Sequence, residues 1–379
     1  MVYRSPFQRI VSRFGCLLLL AGVLAGCAGA EKAKPTELEP NTALIGVRPA
    51  WNASVGAVEF PLDIRVVGNT LFIAGSQGVV VAIDARTGGD VWRTALATPL
   101  AAGVGSDGRY VAVVSRDNEL IALDTGKEIW RQKIGAVTLT APLVAGARVF
   151  VLSADRTVSA FDAASGRKLW QQQRSGDALV LGQAGVMVAV GDTLVTGLGG
   201  RLVGMNPQNG TVRWEAPVGT SRGINEVERL VDLVAGVSRD GDSVCVRAFQ
   251  SAVGCVDTVK GRAVWTKPAS GATGIHGDAT VVYGAESDSK LIAWRRSDGE
   301  RLWSSERLRF RNVTAPTLVG RSVVVGDESG WVHFLSREDG APLNRVATDG
   351  SAVVAAPVLA GQTLVVVTRR GGIFGFRPE

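Results

Sequence analysis

Residues 79–92 read VVVAIDARTGGDVW. An apolar, β-branched run leads to Asp84, a turn carries Gly88 and Gly89, and a second extended stretch ends on Trp92. The phrase returns as LIALDTGKEIW (120–130), TVSAFDAASGRKLW (157–170), RLVGMNPQNGTVRW (201–214), AVGCVDTVKGRAVW (252–265) and KLIAWRRSDGERLW (290–303). A further copy, WVHFLSREDGAPLN (331–344), ends on Asn344 in place of Trp. Starting from Trp51, the marker positions are separated by 41, 38, 40, 44, 51, 38 and 41 residues. A repeat near forty residues that holds several short strands and no helical periodicity is the signature of a β-propeller blade.

Between phrases lie two more apolar stretches, such as APLV at 141–144 and VFVLS at 149–153. Each unit therefore supplies four antiparallel strands. The turn Gly provides the positive φ a hairpin needs, and the Asp caps the turn through its side chain. The Trp packs a broad surface between neighbouring sheets. The chain ends determine closure: residues 372–376, GIFGF, have no Trp strand after them, whereas 48–52, RPAWN, is a Trp strand with no phrase before it. Joined, they complete one blade and protect edge strands from aggregation. The predicted fold is all-β, an eight-bladed propeller of four-stranded antiparallel blades over residues 42–379, closed by pairing the N- and C-terminal strands.

The 379 residues are 46% hydrophobic and 20% charged, with 47 Gly, enough for a large core. The formal charge is +6, but Arg4, Arg9 and Arg13 lie in the leader, which leaves +3 for the rest. No Lys/Arg stripe with interleaved aromatics is present, which argues against nucleic-acid binding. Residues 1–26 read as a signal peptide, because a basic start precedes an apolar run at 16–24 that is too short to span a bilayer. Leu24-Ala25-Gly26-Cys27 resembles a bacterial lipobox, which makes Cys27 the acylated first mature residue and holds the body at a membrane surface. Ala28 follows where Asp would favour inner-membrane retention in enterobacterial lipoproteins, so the expected location is the periplasmic face of the outer membrane. Residues 27–41 read as the acylated Cys and a flexible tether.

Signals of catalysis are weak. The two His, His276 and His333, fall in different blades, no HExxH, GxSxG, P-loop or CxxCH motif occurs, and no metal site is expected. The recurrent Asp84, Asp124, Asp162 and Asp257 sit at strand ends, where turn capping is their expected job. Cys245 and Cys255 fall on the two strands of one hairpin, and two readings stay open: a cross-strand disulfide or two buried free thiols. The phrase A-x-D-x-x-T-G-x-x-x-W is similar to that of the quinoprotein dehydrogenases, which bind pyrroloquinoline quinone (PQQ) with calcium. The chain lacks the adjacent Cys-Cys pair of many of them and is much shorter, so the repeat is read as scaffold and no cofactor is expected.

Two stretches break the rhythm. One is 175–184, SGDALVLGQA, with the apolar Leu179-Val180-Leu181. The other lies in the 51-residue step, where 219–234, GTSRGINEVERLVDLV, reads as a short helix or an irregular loop. Loops displayed by a rigid body are the usual place for binding. Simple strand packing for Leu179 and Leu181, and a surface ion pair for Arg229 and Asp232, are the plain alternatives.

With the lipobox, the short charged tether, the eight blade units, ERLVD at 228–232 and the late stretch TAP (314–316) and VGDESG (325–330), the whole chain resembles the BamB family, the propeller lipoproteins of the bacterial β-barrel assembly machinery. In that family a Leu-x-Leu-Arg loop and an Arg-Leu-x-Asp-x-Asp loop face the partner. Leu179 and Leu181 match the first and Arg229, Leu230 and Asp232 the second, whereas Gly182 and Val234 replace the family's Arg and last Asp. These departures remove charges that link the two loops in the family, while the apolar contact is retained. The resemblance implies a non-enzymatic scaffold that binds the periplasmic POTRA domains of BamA and other assembly-complex subunits, and assists the delivery and insertion of unfolded outer-membrane β-barrel precursors. Two alternatives accompany it: a PQQ-dependent dehydrogenase-like propeller, and a propeller lipoprotein that binds another envelope component.

Overall fold

The computed structural model describes residues 33–41, 43–174, 181–220 and 231–379. Their strands form eight four-stranded sheets, each of consecutive antiparallel neighbours, and no helix occurs among the described residues. We number the sheets as blades 1 to 7 in chain order: 65–95, 105–133, 143–173, 187–217, 233–268, 275–305 and 317–347. Blade 8 combines three C-terminal strands, Val358–Ala360, Thr363–Val367 and Gly372–Pro378, with the N-terminal strand Val47–Ser54. The first strands of successive blades abut one another, except that the first strand of blade 5 lies against the second of blade 4, and the first strand of blade 8 lies against that of blade 1, closing the ring. The expected eight-bladed propeller and its composite blade are thus observed.

The repeated phrase has a packing reason that its spacing alone does not reveal. In blades 1 to 7 the turn Gly sits on the Trp of the blade before it, blade 8 preceding blade 1 around the ring. An added Cβ would come within 2.6 Å of Trp51 at Gly88, 2.6 Å of Trp130 at Gly166 and 2.5 Å of Trp265 at Gly299. These glycines also have φ of 74°, 72° and 71°. Glycine is therefore required twice over, for the left-handed backbone and for the absence of a side chain. The indole N–H donates to a carbonyl in the same turn: Trp51 to Ala85 (2.9 Å), Trp130 to Ala163 (2.8 Å) and Trp303 to Arg337 (2.9 Å). The expected Asp caps are present at Asp84, Asp162 and Asp257, whose carboxylates accept turn amides, while Asp124 instead accepts from Arg109.

Every outermost strand carries a β-bulge immediately before the Trp position. The register shifts at Ala82/Ile83, Ala122/Leu123, Ala160/Phe161, Gly204/Met205, Cys255/Val256, Ala293/Trp294, Phe334/Leu335 and, in blade 8, Pro49/Trp51. Several of the extra residues, among them Val91, Ile129, Val264 and Leu302, are exposed apolar side chains on the outer rim. Bulges of this kind twist an edge away from further strand pairing.

Residues 36–41, within the stretch read as tether, lie along blade 7. The Thr36 amide donates to the Arg309 carbonyl (3.0 Å), Leu38 packs on the cluster of Leu308 and Leu335, and Glu39 pairs with Arg307 (2.9 Å). Asn41 donates to the Asn344 side chain (3.0 Å). This segment thus forms an arm that leads along blade 7 into the outer strand of blade 8.

Candidate functional site

The connections between blades share one face of the ring with the turns between each blade's second and third strands, because four antiparallel strands return the chain to that face. The segment 181–186 leads into blade 4, and 231–232 leads into the first strand of blade 5, Leu233–Asp240. Gly185 and Val234 form an isolated antiparallel bridge, and the Ala235 amide donates to the Ala184 carbonyl (2.8 Å). Thr140 accepts the Gly185 amide through its hydroxyl (2.8 Å), fixing the segment against blade 3. These bonds bring two connections that are remote in sequence side by side.

Asp232 stands at their junction. Its Oδ2 accepts the backbone amide of Leu181 (3.2 Å), and its Oδ1 lies 3.9 Å from Nη2 of Arg156, in the turn between the second and third strands of blade 3. The two side chains are 15% and 20% exposed, so water screens the pair only in part. Both help to wall a cavity of about 60 Å³, mainly apolar through Leu139, Leu152, Leu181, Leu198 and Leu233, with Thr140, Ser153 and Gln183 as its other polar side chains. Such a space suits one small apolar side chain or roughly four waters.

Of the residues singled out in the sequence, Leu181 and Asp232 are brought together here. Leu179, Arg229 and Leu230 lie outside the described residues, as do Cys27 and 221–230 of the stretch 219–234 read as helix or loop, whose last two residues are strand. Gly182 faces open space, with nothing within 4 Å of an added Cβ, and Val234 is buried in blade 5. Arg156 was missed by reasoning from sequence. Its only signal there is a charged residue in a turn whose counterparts, Gly78 and Asn118, are glycine and asparagine.

Three other features stand apart from this junction. Cys245 and Cys255 are disulfide-bonded between neighbouring strands of blade 5, with Nη1 of Arg296 3.2 Å from Cys245 Sγ. His333 is 4% exposed and its Nε2 donates to Asp327 Oδ2 (3.0 Å), which also accepts from Arg311 Nε (2.8 Å). Burial holds the His333 imidazole below its usual range despite the carboxylate beside it. Burial pushes the Asp327 carboxyl up, but the His333 and Trp331 hydrogen bonds and Arg311 outweigh it, and its pKa is lowered. Asp327 is thus saturated by His333, Arg311 and the Ser329 and Trp331 amides, and Arg311 also donates to the Thr36 carbonyl (3.0 Å). The central channel, a cavity of about 750 Å³, is walled mainly by apolar groups such as Phe60, Leu62, Val313 and Val354. Asp63 is exposed and opens onto it.

A family model described as "Outer membrane protein assembly factor BamB" matches residues 76–305. A protein of that name from Burkholderia pseudomallei (strain K96243) is 40% identical over 363 residues, which span 94% of this chain and 95% of the relative. Another, from Bordetella pertussis (strain Tohama I), is 36% identical over 94% of each chain. Among solved structures, BamB from Moraxella catarrhalis superposes with a TM-score of 0.79 at 23% identity, covering 87% of this chain and 99% of that one. Quinohemoprotein alcohol dehydrogenase from Comamonas testosteroni superposes with a TM-score of 0.67 at 16% identity, covering 90% and 78%. At these identities the structures share the fold and nothing more specific.

Proposed function

Because the chain belongs to the BamB family of outer membrane protein assembly factors, we propose that it is a non-enzymatic propeller subunit of the β-barrel assembly machinery. In this reading Cys27 carries the lipid that holds it at the periplasmic face of the outer membrane. Leu179, Leu181, Arg229, Leu230 and Asp232 present a docking surface to the POTRA domains of BamA, and the rigid ring assists the delivery of unfolded barrel precursors. The observation that carries it is the hydrogen bond from the Leu181 amide to Asp232, which makes one surface of two remote connections. A few apolar anchors within a polar rim are enough to carry most of such a binding energy.

The blade rims are poor acceptors for a precursor strand. A bulge interrupts each outermost strand at the same place, and β-augmentation needs an unbroken edge. Precursor handling is therefore assigned to the partner complex as this subunit orients it, and not to strand capture by the blades.

The test is an affinity pull-down of the acylated full-length protein from outer membranes in mild detergent, with Leu181→Asp and Asp232→Lys variants beside it. The expected result is recovery of a POTRA-containing barrel protein by the wild type and its loss from both variants, whose far-UV circular dichroism and thermal melts stay native. Recovery of that partner by both folded variants would move the interface elsewhere. Recovery of no barrel protein by a folded, acylated wild type would favour another envelope component.

A further inference from the structure

The turns between second and third strands each place one residue in the left-handed region. It is Gly78, Asn118, Gly199, Gln250, Ser289, Gly330 and Gly371 in seven blades, and Arg156, with φ 62°, in blade 3. Arg156 shares the backbone strain of Gln250 and Ser289 there, because glycine, and to a lesser extent asparagine, takes this conformation most readily. The side chain carries a second cost: Nε of Arg156 is buried with no hydrogen-bond partner. Strain and an unsatisfied polar atom at one residue point to a role outside its own turn. The carboxylate it reaches, Asp232, is across blade 4, at the start of blade 5.

We propose that Arg156 is a positioning residue of the docking surface. Its guanidinium neutralises Asp232 and holds that carboxylate where it receives the Leu181 amide, so that the connections before blades 4 and 5 stay locked to blade 3. Gly182 offers no charge for this task, and the cation comes instead from a different blade. The surface so built is mainly apolar at the Leu181 cavity, with the charges of Arg156 and Asp232 balanced against each other at its edge, which fits a partner that inserts an uncharged apolar side chain. The partner half of this proposal rests on the docking reading above; the positioning half does not.

The experiment replaces Arg156 in the full-length acylated protein and reads amide hydrogen exchange of 181–186 together with affinity for purified POTRA domains. Arg156→Gly relieves the left-handed strain, so its melting temperature is expected to hold or rise. Exchange over 181–186 is nevertheless expected to speed up and the affinity to fall about two- to fivefold, the size of one lost ion pair that carries no hydrogen bond. Arg156→Lys, which keeps the charge, is expected to retain most of the exchange protection. Combining Arg156→Gly with Asp232→Asn is expected to add nothing to either single change. Unchanged exchange in Arg156→Gly, or additive losses in the double variant, would overturn the positioning role. Faster exchange in a protein whose wild type does not bind POTRA domains would sustain that role and overturn the partner reading instead.

Discussion

Asn344 of blade 7 donates its side-chain amide to the Ile45 carbonyl at 2.7 Å. It makes at this seam the bond that an indole N–H makes at others. The reason no Trp stands here lies in the next blade. Blade 8 has no hairpin between its last two strands, because the two chain termini take that place and the Glu379 amide passes the Gly46 carbonyl at 3.3 Å. Without a turn glycine to receive it, an indole has nothing to rest on. The shorter Asn leaves room for the arm at 36–41, over a cavity of about 210 Å³.

Asn344→Ala is expected to cost about 1–3 kcal/mol, since it strands a carbonyl and releases Asn41. Hydrogen exchange over 36–45 should rise with it. A native urea midpoint with unchanged exchange of the arm would show that Leu38 and Glu39 hold the arm without this clasp.

Trp130 is 9% exposed and clasps the Ala163 carbonyl beneath Gly166. Trp130→Ala is expected to lose about 3–5 kcal/mol by denaturant titration. Gly166→Ala, which changes one methyl group, is expected to lose about 1–3 kcal/mol from overpacking alone. If the glycine variant melted like the wild type, the indole would have to be free to move aside.

Arg247 and Glu286 pair at 3.2 Å across the seam of blades 5 and 6, with side chains 0% and 7% exposed. Burial pushes the Arg247 guanidinium below its usual range, opposed by Glu286. Removing the carboxylate by Glu286→Ala leaves a buried charge unpaired and should destabilise the protein by about 3–5 kcal/mol. The double replacement Arg247→Met/Glu286→Leu is expected to lose less than this single change. The opposite order would mean that the pair contributes net stability.

His276 and His333 both have pKa values lowered by burial. Each is neutral when folded and takes up a proton when unfolded, so stability is complete above the unfolded pKa of about 6.5 and falls as the pH drops below it. The lowered Asp327 carboxyl adds a further loss at lower pH, beginning near its unfolded pKa of about 3.9. Melting temperature should therefore fall between neutral pH and about pH 5.5, and His333→Gln should flatten that fall. A flat profile in the wild type would mean that the imidazoles titrate normally.

The blades were legible because the information that makes them is local. A strand, an Asp-capped glycine turn and a Trp strand occupy fourteen consecutive residues at 79–92, and repetition multiplies the signal. Closure was legible too, since a Trp strand without its phrase at one end complements a phrase without its Trp strand at the other. The candidate loops stood out as breaks in the period, but their joining did not, because period says nothing about which side chains meet.

Eight blades, four strands in each and the join between the chain ends all follow from periodicity within and between adjacent units. Ring closure is what sets each turn glycine over the preceding blade's indole, what shows that a bulge blunts every rim, and what brings Arg156 to Asp232. It also decided that the arm crosses blade 7, where Asn41 meets Asn344 from 303 residues away. The physical reason is common to all of these. They depend on distances between surfaces that come together only when the ring closes, and no local pattern of residues encodes such a distance.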